Sequence, residues 1–304
     1  MRFLIFSDLH RMPGVFMGGT EEDLRFFHRR AAEEQCDLII HAGDFCHGTE
    51  DVKAPYLNTY HDCPIPCYHV LGNHDTDETS LEDTLRLYRM PAPYYSFDSA
   101  GYRFICLSTN YLRKDDQFIH YELQNYYGNR DNRDYVPPDE LKWLEETIAA
   151  SPHPCVIISH ASLERAPDGV RNQHAVRRII DEANSRRPHS VLLCINGHYH
   201  CDHLRILNQV CYLDLNSASY DWLPQSHNGY PEALCRETEL LSHTLVYNDP
   251  LCAVITLEGT CITVDGMESS YLYGMDRSMT PNPSYDEGGR AMSPCIGSCR
   301  ILLP

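Results

Sequence analysis

The sequence predicts an α/β fold of two packed, mixed β-sheets flanked by helices. Three observations carry this. Short apolar runs alternate with amphipathic stretches through the first two-thirds of the chain. The rhythm then changes to closely spaced strand-like runs joined by tight turns. Finally, the early apolar runs end one after another in clusters of Asp, Asn or His.

The runs at 3–6, 38–41, 67–71, 155–159 and 191–196 are apolar on both faces, as strands buried within a layered fold are. Between them, 21–35, 81–89, 139–150 and 173–186 read as helices. Thr20 is placed to cap the first, and Pro137-Pro138 lead into the third, where a first-turn proline is tolerated. The later runs at 203–207, 210–215, 244–247, 253–257 and 261–264 predict a second, more antiparallel sheet. Residues 1–266 form the expected domain, with a Tyr-, Asn- and Asp-rich insertion at about 111–137. Residues 267–304, rich in Pro, Gly, Ser and Met, read as an irregular C-terminal extension.

Composition narrows the class. With 42% hydrophobic and 22% charged residues the chain is globular, neither disordered nor membrane-spanning. The start, MRFLIFSDLH, lacks the long apolar stretch and cleavage site of an export signal, so a cytoplasmic protein is expected. A formal net charge of −18 repels long nucleic acid and favours a small anionic substrate held by local cations. Of the 14 cysteines, Cys106, Cys155, Cys194, Cys211, Cys252 and Cys261 sit in apolar runs and read as reduced, buried hydrophobes. Cys63 with Cys67 and Cys295 with Cys299 repeat one spacing. A zinc clip would need both pairs to meet, at a spacing looser than zinc sites commonly use. His41, His69 and His153 read as packing histidines.

The polar clusters carry the chemistry: Asp8-Leu9-His10, Gly43-Asp44, Gly72-Asn73-His74-Asp75, Ser159-His160 and Gly197-His198-Tyr199-His200. In open α/β sheets ligands gather beyond the carboxyl ends of the strands, so these clusters should converge. Their oxygen and nitrogen donors suit Mn, Fe or Zn, and Asp44 has two oxygens with which to bridge two ions. Two such ions can clamp a phosphate and activate a shared water.

This ordered series resembles the calcineurin-like metallophosphoesterase superfamily, over residues 1 to about 216. The resemblance implies a four-layer sandwich and hydrolysis of a small phosphodiester or phosphomonoester by a metal-bridging hydroxide. It implies that Asp8, His10, Asp44 and His200 hold one ion, and that Asp44, Asn73, His160 and His198 hold the other. Mn is the expected metal, with Fe or Zn as alternatives. His74 would protonate the leaving oxygen, oriented by Asp75. His47 stands where the related purple acid phosphatases carry a Tyr ligand, and the Asp-Arg-Gly signature of the Ser/Thr protein phosphatases is missing. A His there also resembles the Mre11-type nucleases, which makes a nuclease acting on nucleic-acid ends the alternative. A non-catalytic metal-binding platform is a further one. His47, Arg11, Arg165 and Arg171 are candidate contacts to the substrate. The Tyr-rich insertion could stack on a base or form a subunit interface, which leaves oligomerisation open.

Overall fold

The computed structural model describes residues 1–12, 19–165, 169–223, 226, 229–276 and 293–304. In chain order these form β1 (Arg2–Phe6), α1 (Glu21–Glu33), β2 (Leu38–His41), α2 (Glu50–His61), β3 (Cys67–His69), α3 (Leu81–Leu87), β4 (Tyr95–Ser99), β5 (Tyr102–Cys106), β6 (Tyr111–Lys114) and β7 (Gln117–His120). There follow α4 (Pro138–Ala149), β8 (Cys155–Ile158), α5 (Gln173–Arg186), β9 (Val191–Asn196), β10 (His203–Leu207), β11 (Val210–Asp214), β12 (Tyr220–Trp222), α6 (Glu232–Glu237), β13 (Thr244–Val246), β14 (Ala253–Glu258), β15 (Cys261–Asp265) and β16 (Cys299–Leu302).

Two six-stranded sheets run in the orders β16-β15-β14-β1-β2-β3 and β10-β11-β9-β8-β5-β4. Both are mixed. In the first, β1, β2 and β3 are parallel while β14, β15 and β16 pair antiparallel. In the second, β11, β9, β8 and β5 are parallel, with antiparallel edges at β10 and β4.

Alternation within each strand builds the layers. Phe3 and Ile5 of β1 face Phe104, Val156 and Ile158 of the second sheet, and the Phe3 and Phe104 rings meet edge to face at 5.3 Å. Leu4 and Phe6 point the other way, onto Leu24 and Phe27 of α1 and Leu57 and Tyr60 of α2. On the far side, Cys155 and Ile157 of β8 pack on Leu144 and Ile148 of α4 and Val176 and Ile180 of α5. The order helix, sheet, sheet, helix follows.

α1 starts where expected. Thr20 and Asp23 form a reciprocal capping box, and Glu21, Glu22 and Asp23 place negative charge at the positive end of the helix. Several elements depart from expectation, among them the β4–β5 hairpin, β12 and α6, which fall outside the runs read from the sequence. α2 forms despite Pro55 in its interior, and it buries Lys53, whose Nζ donates to Asp75 O at 2.6 Å and Thr79 Oγ1 at 3.0 Å. The insertion carries a hairpin, β6 with β7. The C-terminal extension is not irregular throughout, because β16 closes one edge of the first sheet; residues 277–292 lie outside those described.

Glu140, in the first turn of α4, is buried, with Oε1 accepting from Ser108 N at 2.8 Å and Oε2 without a partner. Burial pushes its carboxyl well above the usual range. A carboxyl raised on folding is stabilising while protonated, and that stability is lost as pH rises through its folded pKa. Glu140→Gln, which cannot ionise, should therefore lose less stability than the wild type as the pH is raised to 8. Denaturant midpoints across pH check this. Wild type and variant declining in parallel would show that Glu140 does not titrate.

Candidate metal centre

The carboxyl ends of β1, β2, β8 and β9 and the loop after β3 meet along the seam between the sheets. Both Asp8 and His10 follow β1, Asp44 follows β2, and Asn73 and His74 follow β3. His160 follows β8, while His198 and His200 follow β9. The chain turns sharply to aim these side chains. Asp8 (φ 53°), His10 (48°), Asp44 (57°), His198 (74°) and His200 (48°) all adopt the left-handed backbone region. Asp and His are among the side chains that tolerate it best, yet each such residue costs about 1–3 kcal/mol, a cost the surrounding structure must offset.

Two of the motif glycines have a packing reason. A Cβ on Gly43, itself at φ 106°, would overlap the His160 ring, and one on Gly72 would overlap the Asp44 carboxylate and backbone nitrogen.

Ligand atoms from Asp8, His10 and His200 lie within 4.8 Å of one another, as do those from Asp44, His160 and His198. Asp44 joins the two groups, its Oδ2 being 3.5 Å from His10 Nε2 and 3.2 Å from His160 Nε2. Asp8 Oδ1 stands 3.6 Å from His10 Nε2 and 3.5 Å from His200 Nε2, buried and without a hydrogen bond. Asn73 donates from Nδ2 to Tyr126 OH at 3.3 Å, leaving its Oδ1 buried and unpartnered.

The outer hydrogen bonds decide where the lone pairs point. His200 Nδ1 donates to Tyr220 O at 2.6 Å and His160 Nδ1 to Ala42 O at 2.9 Å. A carbonyl can only accept, so in the neutral ring each Nε2 is a bare lone pair. Those lone pairs face carboxylate oxygens and other imidazole nitrogens, including His10 Nε2 to His200 Nε2 at 3.2 Å and His198 Nδ1 to His160 Nε2 at 3.2 Å. Acceptors aimed at acceptors are stable only with positive charge between them, and this donor set fits two cations.

The fields agree. Burial opposes its charge, but His200, His10 and His160 hold Asp8 well below the usual carboxylate range. Burial likewise works against His160, yet the Asp44 and Asp8 carboxylates pull it up to about 10. His198 is held down to about 3 by burial and by His160 beside it.

Asp75 does not take the role expected of it. Its carboxylate accepts from the backbone N of Asp44 (2.9 Å), Phe45 (2.8 Å) and Gly72 (2.7 Å) and from Tyr88 OH (2.6 Å). It thus braces two metal-binding loops and has no oxygen left for His74. The carboxylate on His74 is Asp77, Oδ2 to Nδ1 at 2.7 Å. Tyr126 and Tyr127 of the insertion donate to the same carboxylate at 2.9 and 3.0 Å. Burial lowers the pKa of His74, but Asp44 and Asp77 together raise it above its ordinary value.

The candidate substrate contacts scatter. His47 is buried with Nε2 2.8 Å from His10 Nδ1 and its ring 4.8 Å from that of His74, so it backs both. Arg165 is 3% exposed, with its guanidinium 4.0 Å over the Tyr199 ring, a packing position rather than a surface one. Arg171 Nη2 donates to Arg130 O at 2.7 Å and ties down the insertion. Arg11 lies 4.9 Å over the Tyr56 ring of α2.

No helix of the described residues is long and apolar enough to cross a membrane. Among solved structures the chain is similar to a dimetal phosphatase from Danio rerio (LOC 393393), at 16% identity and a TM-score of 0.61, over 89% of this chain and 98% of that one. It is also similar to GAP50, the anchor in the inner membrane complex of Plasmodium, at 13% identity and a TM-score of 0.55, over 100% of this chain and 89% of that one. Among curated proteins, none matches. The family model of calcineurin-like phosphoesterases matches residues 1–202, which include every candidate ligand and His74. The ordered motifs, the converging lone pairs and a match over most of the length agree: this chain belongs to the calcineurin-like phosphoesterase family.

Proposed function

We propose that the protein hydrolyses a small phosphodiester, and phosphomonoesters less well, at a centre built for two ions, Mn²⁺ being preferred. One observation carries the reading: imidazole and carboxylate lone pairs converge from both sheets around the shared Asp44, with His74 held beside them. Asp8, His10, Asp44 and His200 would hold one ion, and Asp44, Asn73, His160 and His198 the other. Bound there, the ions supply a water of lowered pKa and neutralise charge growing on the phosphoryl oxygens. Oxygen and nitrogen donors with no sulfur suit Mn²⁺, Fe or Zn²⁺.

The side chains do the rest. Asp77 accepts from His74 Nδ1, which fixes the ring and leaves Nε2 to carry a proton toward the leaving oxygen. The Asp77 carboxylate beside the ring favours its protonated form. Asn73, gripped by Tyr126, and His10, backed by His47, are held in orientation by their outer partners. A positioned general acid has no use in an inert scaffold, which favours catalysis over a platform role. The acidic chain, at −18, favours a small substrate over nucleic-acid ends. All 14 cysteines are free thiols, which supports a reducing, cytoplasmic setting.

The test is turnover of a bis-aryl phosphodiester beside the matching aryl monoester by metal-stripped protein reloaded with Mn²⁺. Ion-dependent hydrolysis with the diester ahead is expected. Two ions bound and neither ester hydrolysed would overturn the reading.

A further inference from the structure

A second cluster of metal-binding side chains lies away from that centre. Ligand atoms from His28, Cys63 and Cys67 fall within 4.8 Å of one another. They come from three separate pieces of chain: the outer part of α1, the turn after α2, and the first residue of β3. The Tyr60 carbonyl gathers two of them, meeting His28 Nε2 at 3.1 Å and receiving the Cys67 thiol at 3.3 Å. All three side chains are half-buried, open enough for an ion to enter and sheltered enough to hold it. Pro64 and Pro66 stiffen the short loop between the two sulfurs.

We infer that His28, Cys63 and Cys67 form a binding site for a thiophilic divalent cation, Zn²⁺ above all, separate from the phosphoesterase centre. Two thiolates and an imidazole are a zinc donor set, and contact distances of about 2.0–2.3 Å from the ion would bring three such ligands within the spacing seen here. Water or the exposed neighbour Asp62 completes the tetrahedron. The ion would pin α1 to the turn that feeds β3, the strand whose end carries Asn73 and His74. A four-cysteine clip with Cys295 and Cys299 is ruled out by topology. β3 and β16 are the opposite edges of one six-stranded sheet, so five strand spacings, roughly 24 Å, separate them.

The protonation states fit this use. Burial holds the His28 imidazole below its ordinary pKa, so at neutral pH it is uncharged and has a lone pair to give. Burial and the neighbouring Cys63 sulfur push the Cys67 thiol up, so an ion must displace its proton. Binding replaces two S–H bonds with two metal–sulfur bonds and releases two protons, so affinity should climb steeply with pH.

Cobalt separates this site from the phosphoesterase centre, which holds no cysteine. Metal-stripped, thiol-reduced full-length protein titrated with Co²⁺ should develop a near-ultraviolet sulfur-to-cobalt charge-transfer band that saturates with one ion and is bleached by Zn²⁺. The single variants Cys63→Ser and Cys67→Ser should each lose most of the band, and Cys295→Ser should keep it. His28→Ala should retain sulfur ligation while binding Co²⁺ roughly tenfold or more weakly. Because the wild-type spectrum decides, a misfolded variant cannot rescue the idea. Reduced wild-type protein that fills with cobalt and shows no sulfur band would overturn the site. So would a Cys63–Cys67 disulfide, seen as the loss of two hydrogens by mass spectrometry, that persists under the reducing conditions of the titration.

Discussion

Asp44→Asn should abolish hydrolysis of either ester, by about 10³-fold or more, and should also lower the number of ions retained after gel filtration. Asp44 Oδ2 lies between His10 and His160, so one neutral amide weakens both halves of the centre together. The carboxylate also accepts from His74 N at 2.8 Å through Oδ1, so its replacement disturbs the loop bearing the proposed acid. Charge stabilisation by bound ions is worth several kcal/mol in this chemistry, and each ~1.4 kcal/mol is a factor of ten in rate. Metal content and kcat measured on the same preparation separate the terms. Full activity with one ion lost would show that Asp44 is not shared.

His74→Ala should give the second largest effect and the opposite metal result: about 10²–10⁴-fold lower kcat with both ions retained. The loss should be greatest for alkyl leaving groups, which need a proton, and small for nitrophenyl ones, which do not. A uniform loss across leaving groups would assign His74 to charge stabilisation rather than proton donation. The neighbouring carboxylates sharpen the comparison. Asp77→Asn should mimic His74→Ala in kind, by about 10–100-fold, because it loosens the ring together with the Tyr126 and Tyr127 hydroxyls that share the carboxylate. Asp75→Asn should instead lower stability by about 1–3 kcal/mol, because its four donors lie in the loops and on Tyr88.

These two carboxylates also mark the limit of what the sequence discloses. The Gly-Asn-His-Asp run puts Asp75 beside His74 in the chain, and adjacency suggests partnership. Consecutive residues in a turning loop point apart, and Asp77, two further on, swings back to the ring. The grip of Tyr126 on Asn73 and Asp77 joins residues about fifty positions apart, and no local pattern announces it.

The apolar strands and their polar ends are legible because burial on both faces and ion binding each demand particular residue types at fixed places. α2 escapes notice because Pro55 interrupts it and Lys53 occupies its buried face, a polar residue made acceptable only by Asp75 O and Thr79. The β4–β5 hairpin did leave a signal. Apolar and polar residues alternate on both sides of Ala100-Gly101, whose backbone turns left-handed at φ 44° and 82°. The strand at Cys299–Leu302 is written in four residues beyond a low-complexity stretch, too short to stand out before its partner β15 is known.

Each sheet owns part of the centre. Asp8, His10 and Asp44 ride on one, and His160, His198 and His200 on the other. The seam between them, where Phe3 meets Phe104, therefore works like the wards of a lock: sliding one plate against the other misaligns the bolt although neither plate is damaged. Displacements of about 1 Å are enough to cost catalysis some 10²-fold. Conservative changes deep in this seam, far from any reacting atom, thus become a fine adjustment of ion spacing, one that selection could turn without touching a single ligand.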